Sequence, residues 1–433
     1  MSKDFLYRCS LAFLPILYLV AAYLARWSGG PFWLWFNLDP DYFYLLDSLN
    51  ILNLTTPGHV YHPGTPVQWL GALILKIAHF GASAESIAAQ VLSAPEPALR
   101  LISTVFILIN GLAAWILGLV AYRVFGRLLE AWFLQMAPFI SMVILKHSYH
   151  AKPEALLLAT AMILAAVSIL SLAPGLLARR RLQFAAGFGV IAGFGVAAKV
   201  TAFPVFVLPL FVLAGAGDDF WDGLKVMILY GLAAFGALVV FTLPAIGAYD
   251  VFINWMMTVS QGNSAYGGTV ADTGVGTSYP LQVLKLFKRP AFHIPFILGL
   301  VTLIFAVRRR GGPDGDPFPF AEVRLLAGVL TAQFVHALLI AKQANAIYMI
   351  PSFVLIPLAF VLVWRLGERL LSKPLAPGVA VLLAALVVAQ GFGVFKLSGE
   401  QADNRDLALS VDMERFSGCA RVYSTRLQMS PMP

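Results

Sequence analysis

The sequence predicts an all-α polytopic membrane protein, a bundle of about 11 transmembrane helices, and three observations carry that prediction. Hydrophobic residues make up 59% of the 433 positions and charged residues only 12%, with a mean hydropathy of +0.80; a soluble globule of this length would need far more polar surface. Apolar runs of about 20 residues recur along the chain, the length that crosses ~30 Å of hydrocarbon. Between them Lys and Arg gather in short clusters such as Arg179-Arg180-Arg181 and Arg308-Arg309-Arg310, the pattern of cytoplasmic loops under the positive-inside rule. The net charge of +8 is therefore a topology signal and not the footprint of a nucleic-acid partner. Cys9 and Cys419 stand at opposite ends of the chain with no paired spacing, so neither a disulfide framework nor a thiolate metal centre is indicated.

Taken in order, Lys3 and Arg8 place the N-terminus in the cytoplasm, and an apolar run over 5–25 reads as a retained anchor because bulky residues follow it in place of a small-residue cleavage site. That helix delivers an external loop, 26–66, and the apolar stretch 69–80 is too short to cross and reads as an interfacial or re-entering helix. Further crossings are expected over 99–122, 128–145, 155–172, 184–198, 203–214, 226–246, 292–307, 322–341, 348–364 and 376–395. The passes 184–198 and 203–214 are short enough to pack inside the bundle. A polar segment over 248–290 falls outside, the Gly/Pro/Asp stretch 311–319 is a cytoplasmic turn, and residues 397–433 form a short external tail after a transmembrane domain spanning 1–396. No repeat relates the two halves.

The chemistry concentrates on the outer face of this topology. The loop FNLDPDYFYLLDSLNILNLTTPGHVYHPGTPVQ carries Asp39, Asp41 and Asp47 beside Trp33, Trp35 and Phe36, with His59 and His62 further on. Hydrophobicity does not account for three acids within nine positions at a membrane surface. The same topology brings Lys146-His147-Ser148-Tyr149-His150-Ala151-Lys152-Pro153-Glu154, Lys199 and the turn from Lys342 to Tyr348 to that face. Carboxylates, imidazoles and cations gathered there suit a reaction between a water-side acceptor and a lipid-borne phosphate donor: a carboxylate takes the acceptor proton and cations steady the leaving phosphate. Each residue alone also has an ordinary reading, the aromatics as interfacial anchors and the lysines as solvated ends. Asp47, three residues after Tyr44 on a short amphipathic helix, is expected on a solvated face or in a helix-end contact, and tolerant of substitution.

The order of these motifs resembles the GT-C superfamily of polyprenyl-phosphate-sugar-dependent glycosyltransferases, among them the protein O-mannosyltransferases and the lipid A aminoarabinose transferases. One helix precedes Asp39-Pro-Asp41-Tyr42-Phe-Tyr44, and His62-Pro63-Gly64-Thr65-Pro66 precedes the interfacial helix; Lys152-Pro153-Glu154 resembles the family's second acidic position, Lys199-Val-Thr-Ala its Lys-containing turn, and Tyr348-Met-Ile-Pro351 its Arg-Tyr-x-x-Pro element. The likeness covers residues 1–400. It departs where Asp-Pro-Asp replaces an Asp-Glu pair, where Ile347 stands in place of the Arg, where His62 replaces a Lys, and where the external C-terminal domain of many relatives shrinks to a tail.

The resemblance implies a catalytic external loop over 26–80 in an inverting glycosyltransferase. In it Asp41 or Asp39 is the base and Glu154 orients the acceptor or an ion. His62, Lys146, His147, His150, Lys152, Lys199, Lys342 and Tyr348 face the substrates. A divalent cation, if one is used, would be held by Asp39, Asp41 and Glu154; no other cofactor is implied. The expected partners are a polyprenyl-phosphate sugar donor, a lipid, glycan or protein acceptor, and membrane lipid, in a bacterial inner membrane with the N-terminus inside and the C-terminus outside. A flippase or transporter of a lipid-linked sugar is the alternative, which repeated halves and charges at mid-membrane would favour.

Overall fold

The computed structural model describes residues 3–34, 41–61, 63–217, 219–260, 279–309 and 319–410. Among them every regular element is helical, and nine helices are long and apolar enough to cross a membrane. The chain is a multi-pass integral membrane protein. Asp39, His62, Cys419 and the middle of the polar segment 248–290, residues 261–278, lie outside the described residues.

Nine of the expected crossings appear as long helices, while the passes 128–145 and 203–214 are broken into short pieces. The first runs as Leu128–Gln135, a 3-10 turn at Ala137–Phe139 and Met142–His147; the second as a 3-10 stretch, Val200–Val207, followed by Leu208–Leu213. Proline explains both interruptions. Pro138, Pro204 and Pro209 each remove an amide donor and crowd the preceding turn. Around the first break, Gln135 donates from Nε2 to the carbonyls of Leu11 (2.8 Å) and Ala114 (3.2 Å), tying the broken pass to two neighbouring helices. Gly118 leaves the room that side chain occupies. Elsewhere Gly189 and Gly193 let the Arg181–Ala198 helix approach the backbone of Phe220–Thr242 so closely that a Cβ at either would meet a carbonyl oxygen, the small-residue packing typical of helices in lipid.

Two sets of helix ends separate cleanly. At one, Arg365 pairs with Glu130 (2.8 Å) and Glu322 (2.9 Å), and Arg127 with Glu368 (2.5 Å); Arg309 donates to the carbonyls of Arg369 and Leu370. At the other lie Asp41, the 147–154 turn and Lys199.

The stretch expected as the external loop contains two helices, Asp41–Leu52 and Thr65–Ala78, packed on each other and on the Pro95–Phe125 helix. The second is apolar but only 14 residues long, about 21 Å at 1.5 Å per residue, too short to span. A solvated Asp47 is the expectation that fails here. Its carboxylate is buried and accepts from the Gly58 amide (2.7 Å), the His59 amide (3.0 Å) and Gln68 Nε2 (2.8 Å), so it closes the 53–60 turn back onto the helix. Burial raises its pKa above the ordinary value despite those donors. Asp47→Asn turns one acceptor oxygen into a donor and leaves buried amides unpaired, at about 1–3 kcal/mol for each unsatisfied group. A fall in melting temperature is expected, and an unchanged one would restore the solvated-face reading.

The tail boundary at 397 also shifts. The last helix continues unbroken from Ala376 to Leu409, its 34 residues extending about 51 Å, and its final turns bring Gln401 to Tyr149.

Candidate functional site

The site is built on the turn that opens the Pro153–Leu170 helix. Pro153 occupies the first helical position, where its missing amide costs nothing, and Glu154 follows in the first turn, where the helix dipole favours a negative charge. Asp41 likewise stands at the start of its own helix. The turn is clamped from behind by the Pro95–Phe125 helix: Ser103 donates to the Tyr149 carbonyl and Asn110 Nδ2 to the Ser148 carbonyl (3.1 Å). Ser103 and Asn110 are seven residues apart, hence on one helical face.

Asp41, 109 residues away in sequence from His150, meets it across the cluster. His150 Nδ1 lies 2.9 Å from Asp41 Oδ2 and 3.1 Å from Oδ1, and the Ala151 amide donates to Oδ1 at 2.6 Å. Both side chains are almost fully buried. Burial opposes ionisation of Asp41, but His150, the Lys152 charge and the Ala151 amide outweigh it and hold the carboxyl below its ordinary value. Burial lowers the pKa of His150 even though Asp41 pulls the other way. The consistent state is a carboxylate accepting Nδ1–H from a neutral imidazole. His147, whose ring centre is 6.1 Å from that of His150, is partly buried, and desolvation drives it down to about 3.

One turn onward Glu154 Oε1 and Lys199 Nζ form a buried ion pair at 2.5 Å. Lys199 is the residue that ends the Arg181–Ala198 helix, and its ammonium also lies over the Tyr348 ring, 4.8 Å from the centroid, a cation–π contact. Lys152, at the cap of the Pro153–Leu170 helix, is 3% exposed. Asp41, His147, His150, Lys152, Glu154, Lys199 and Tyr348, drawn from four separate stretches, are thus one connected cluster. Lys146 and Lys342 are exposed on the neighbouring segments. No group of three His, Cys, Asp or Glu side chains among the described residues is arranged to hold a metal ion.

Two contributors escaped the sequence reading. Arg26, assigned there to the loop, is the end of the first helix; it is buried, stacks over Phe32 at 3.6 Å and donates through Nη1 to the Gly30 carbonyl at 2.6 Å. An arginine inside a run otherwise apolar was its only signal. Gln401, placed in a tail, donates from the last helix to the Tyr149 hydroxyl (3.0 Å), directly beside His150.

His147 and His150 give the fold a pH dependence. A histidine whose folded pKa lies below its unfolded value of 6.5 favours the folded state fully above that value, and the benefit is lost as pH falls through it, because the unfolded chain then binds the extra proton. Once well below 6.5, each such histidine is expected to cost about 1.4 kcal/mol per pH unit. Melting temperatures measured between pH 7.5 and 5 should decline, and His147→Gln should flatten the decline; equal slopes in both proteins would refute a His147 held neutral by the fold.

Comparison of the chain with protein-family models, curated proteins and solved structures finds no match to any of them.

Proposed function

We propose that the chain is an integral-membrane inverting glycosyltransferase of GT-C type, moving a sugar from a polyprenyl-phosphate-linked donor to an acceptor hydroxyl on the outer side of a bacterial inner membrane. The observation that carries this reading is the cluster itself: a carboxylate held ionised by an imidazole, with two buried lysines and a second carboxylate, at one set of helix ends. In a bilayer protein, buried charge at this density is costly and marks function.

The chemistry balances on these groups. The acceptor oxygen forms a bond to the anomeric carbon from the face opposite the phosphate, its proton passes to the Asp41–His150 couple, and the anomeric carbon–oxygen bond breaks with its electron pair leaving on the polyprenyl phosphate. Lys152 and Lys199 offset the charge that develops on that phosphate, while Glu154 fixes Lys199. On this reading the N-terminus and the Arg-rich helix ends face the cytoplasm and the cluster faces outward, with the two interrupted passes making eleven crossings.

The test is to incubate the purified protein with a panel of polyprenyl-phosphate sugars and candidate acceptors and to follow release of polyprenyl phosphate. Release coupled to a glycosylated acceptor is expected. Movement of intact lipid-linked sugar across a proteoliposome membrane without cleavage would instead make the chain a flippase.

A further inference from the structure

On the lipid side of the first helix, away from the buried cluster, runs an apolar groove of about 620 Å³ between Phe13–Ser28 and Pro95–Phe125. Leu19, Tyr23 and Trp27 form one wall, Thr104 and Leu108 the other. The wall from Leu19 to Trp27 rises about 12 Å along the helix, close to the ~15 Å of hydrocarbon in one leaflet. It is long enough for an acyl chain and short for a polyprenyl tail.

The mouth of the groove is cationic and aromatic. Trp27 stacks on Tyr23 with ring centres 6.5 Å apart, and the exposed Arg100 guanidinium lies 5.8 Å from the Trp27 ring centre. Arg100 makes no ion pair among the described residues. Glu96, the carboxylate nearest in sequence to Arg100, is already committed to the Phe32 amide (2.9 and 3.0 Å) and the Tyr42 hydroxyl (2.5 Å). An exposed arginine and an indole at the head of a leaflet-length apolar slot complement an anion carried on an acyl chain.

We propose that this groove is a binding site for an anionic phospholipid of the bilayer, with one acyl chain lying between the two helices and the phosphate at Arg100 and Trp27. The site is independent of the glycosyltransferase reading, since it shares no residue with the Asp41–Glu154 cluster.

Native mass spectrometry of the detergent-purified protein, titrated with phosphatidylglycerol or phosphatidylcholine of the same acyl length, tests it. One phosphatidylglycerol per chain should survive activation that strips phosphatidylcholine. Arg100→Gln should weaken phosphatidylglycerol retention roughly ten- to a hundredfold by removing one charge-assisted contact. Thr104→Trp, which fills the slot, should abolish retention of either lipid. Equal retention of the two headgroups by the unmodified protein overturns the proposal without recourse to any variant. So does an Arg100→Gln protein that keeps phosphatidylglycerol unchanged. If polyprenyl phosphate displaces phosphatidylglycerol from the same groove at equal concentration, the occupant is the polyprenyl lipid and the phospholipid assignment falls.

Discussion

Asp41→Asn is expected to lower transfer from a polyprenyl-phosphate donor by at least ~100-fold, the lower bound for loss of a positioned general base. An acceptor hydroxyl ionises far above neutral pH, so its proton needs somewhere to go as the new bond forms. Asparagine preserves the volume of Asp41 and removes its basicity. The structure adds a second consequence. The Asp41 carboxylate accepts from both His150 and the Ala151 amide; an asparagine can keep the amide bond through its oxygen but then presents an NH₂ to His150 Nδ1. The imidazole would have to take the other tautomer, so Asp41→Asn disturbs the orientation of His150 as well as the charge. Thermal unfolding and turnover should therefore be measured on the same preparation, with Asp39→Asn as the companion variant. Full activity in both variants would end the assignment of this region to glycosyl transfer. A folded but inactive Asp41→Asn protein that still binds donor is the result the proposal requires.

Lys199→Met should destabilise the protein by about 3–5 kcal/mol, the usual consequence of stranding one member of a buried ion pair. Glu154 would be left 6% exposed with its principal counter-charge gone. Glu154→Gln combined with Lys199→Met removes both charges and should recover most of that loss, because replacing a whole buried pair is often close to neutral. This double variant separates fold from chemistry. If Lys199 offsets phosphate charge during transfer, the refolded double variant stays inactive and its apparent donor affinity falls. If the pair is only structural, activity returns with stability. A single Lys199→Met protein as stable as the parent would show that the pair does not form.

Much of this protein was legible in its sequence because a bilayer imposes one dominant rule. Residues facing lipid must be apolar for about 20 positions, and Lys and Arg mark the loops between. The nine long helices follow from that, and so does the meeting of the 147–154 turn, Lys199 and Tyr348 at one set of helix ends. The same rule counts apolar residues without asking whether the backbone can run straight. The passes over 128–145 and 203–214 therefore read as ordinary spans, although their prolines break them. Asp47 looked like a solvated residue on an amphipathic helix because the chain returning at Gly58 and His59, whose amides bind it, is distant from it in helical periodicity.

The pairings were decided only in three dimensions. Asp41 with His150, Glu154 with Lys199 and Gln401 with the Tyr149 hydroxyl join positions 109, 45 and 252 residues apart, and no local pattern encodes such partners. Sequence alone established that this is a helical membrane protein, since hydrophobicity and charge are properties of single residues. Which of its acids, histidines and lysines touch, and which are buried beyond water's reach, depended on how the helices pack, because desolvation and hydrogen bonding act over a few ångströms between segments that the chain itself keeps far apart.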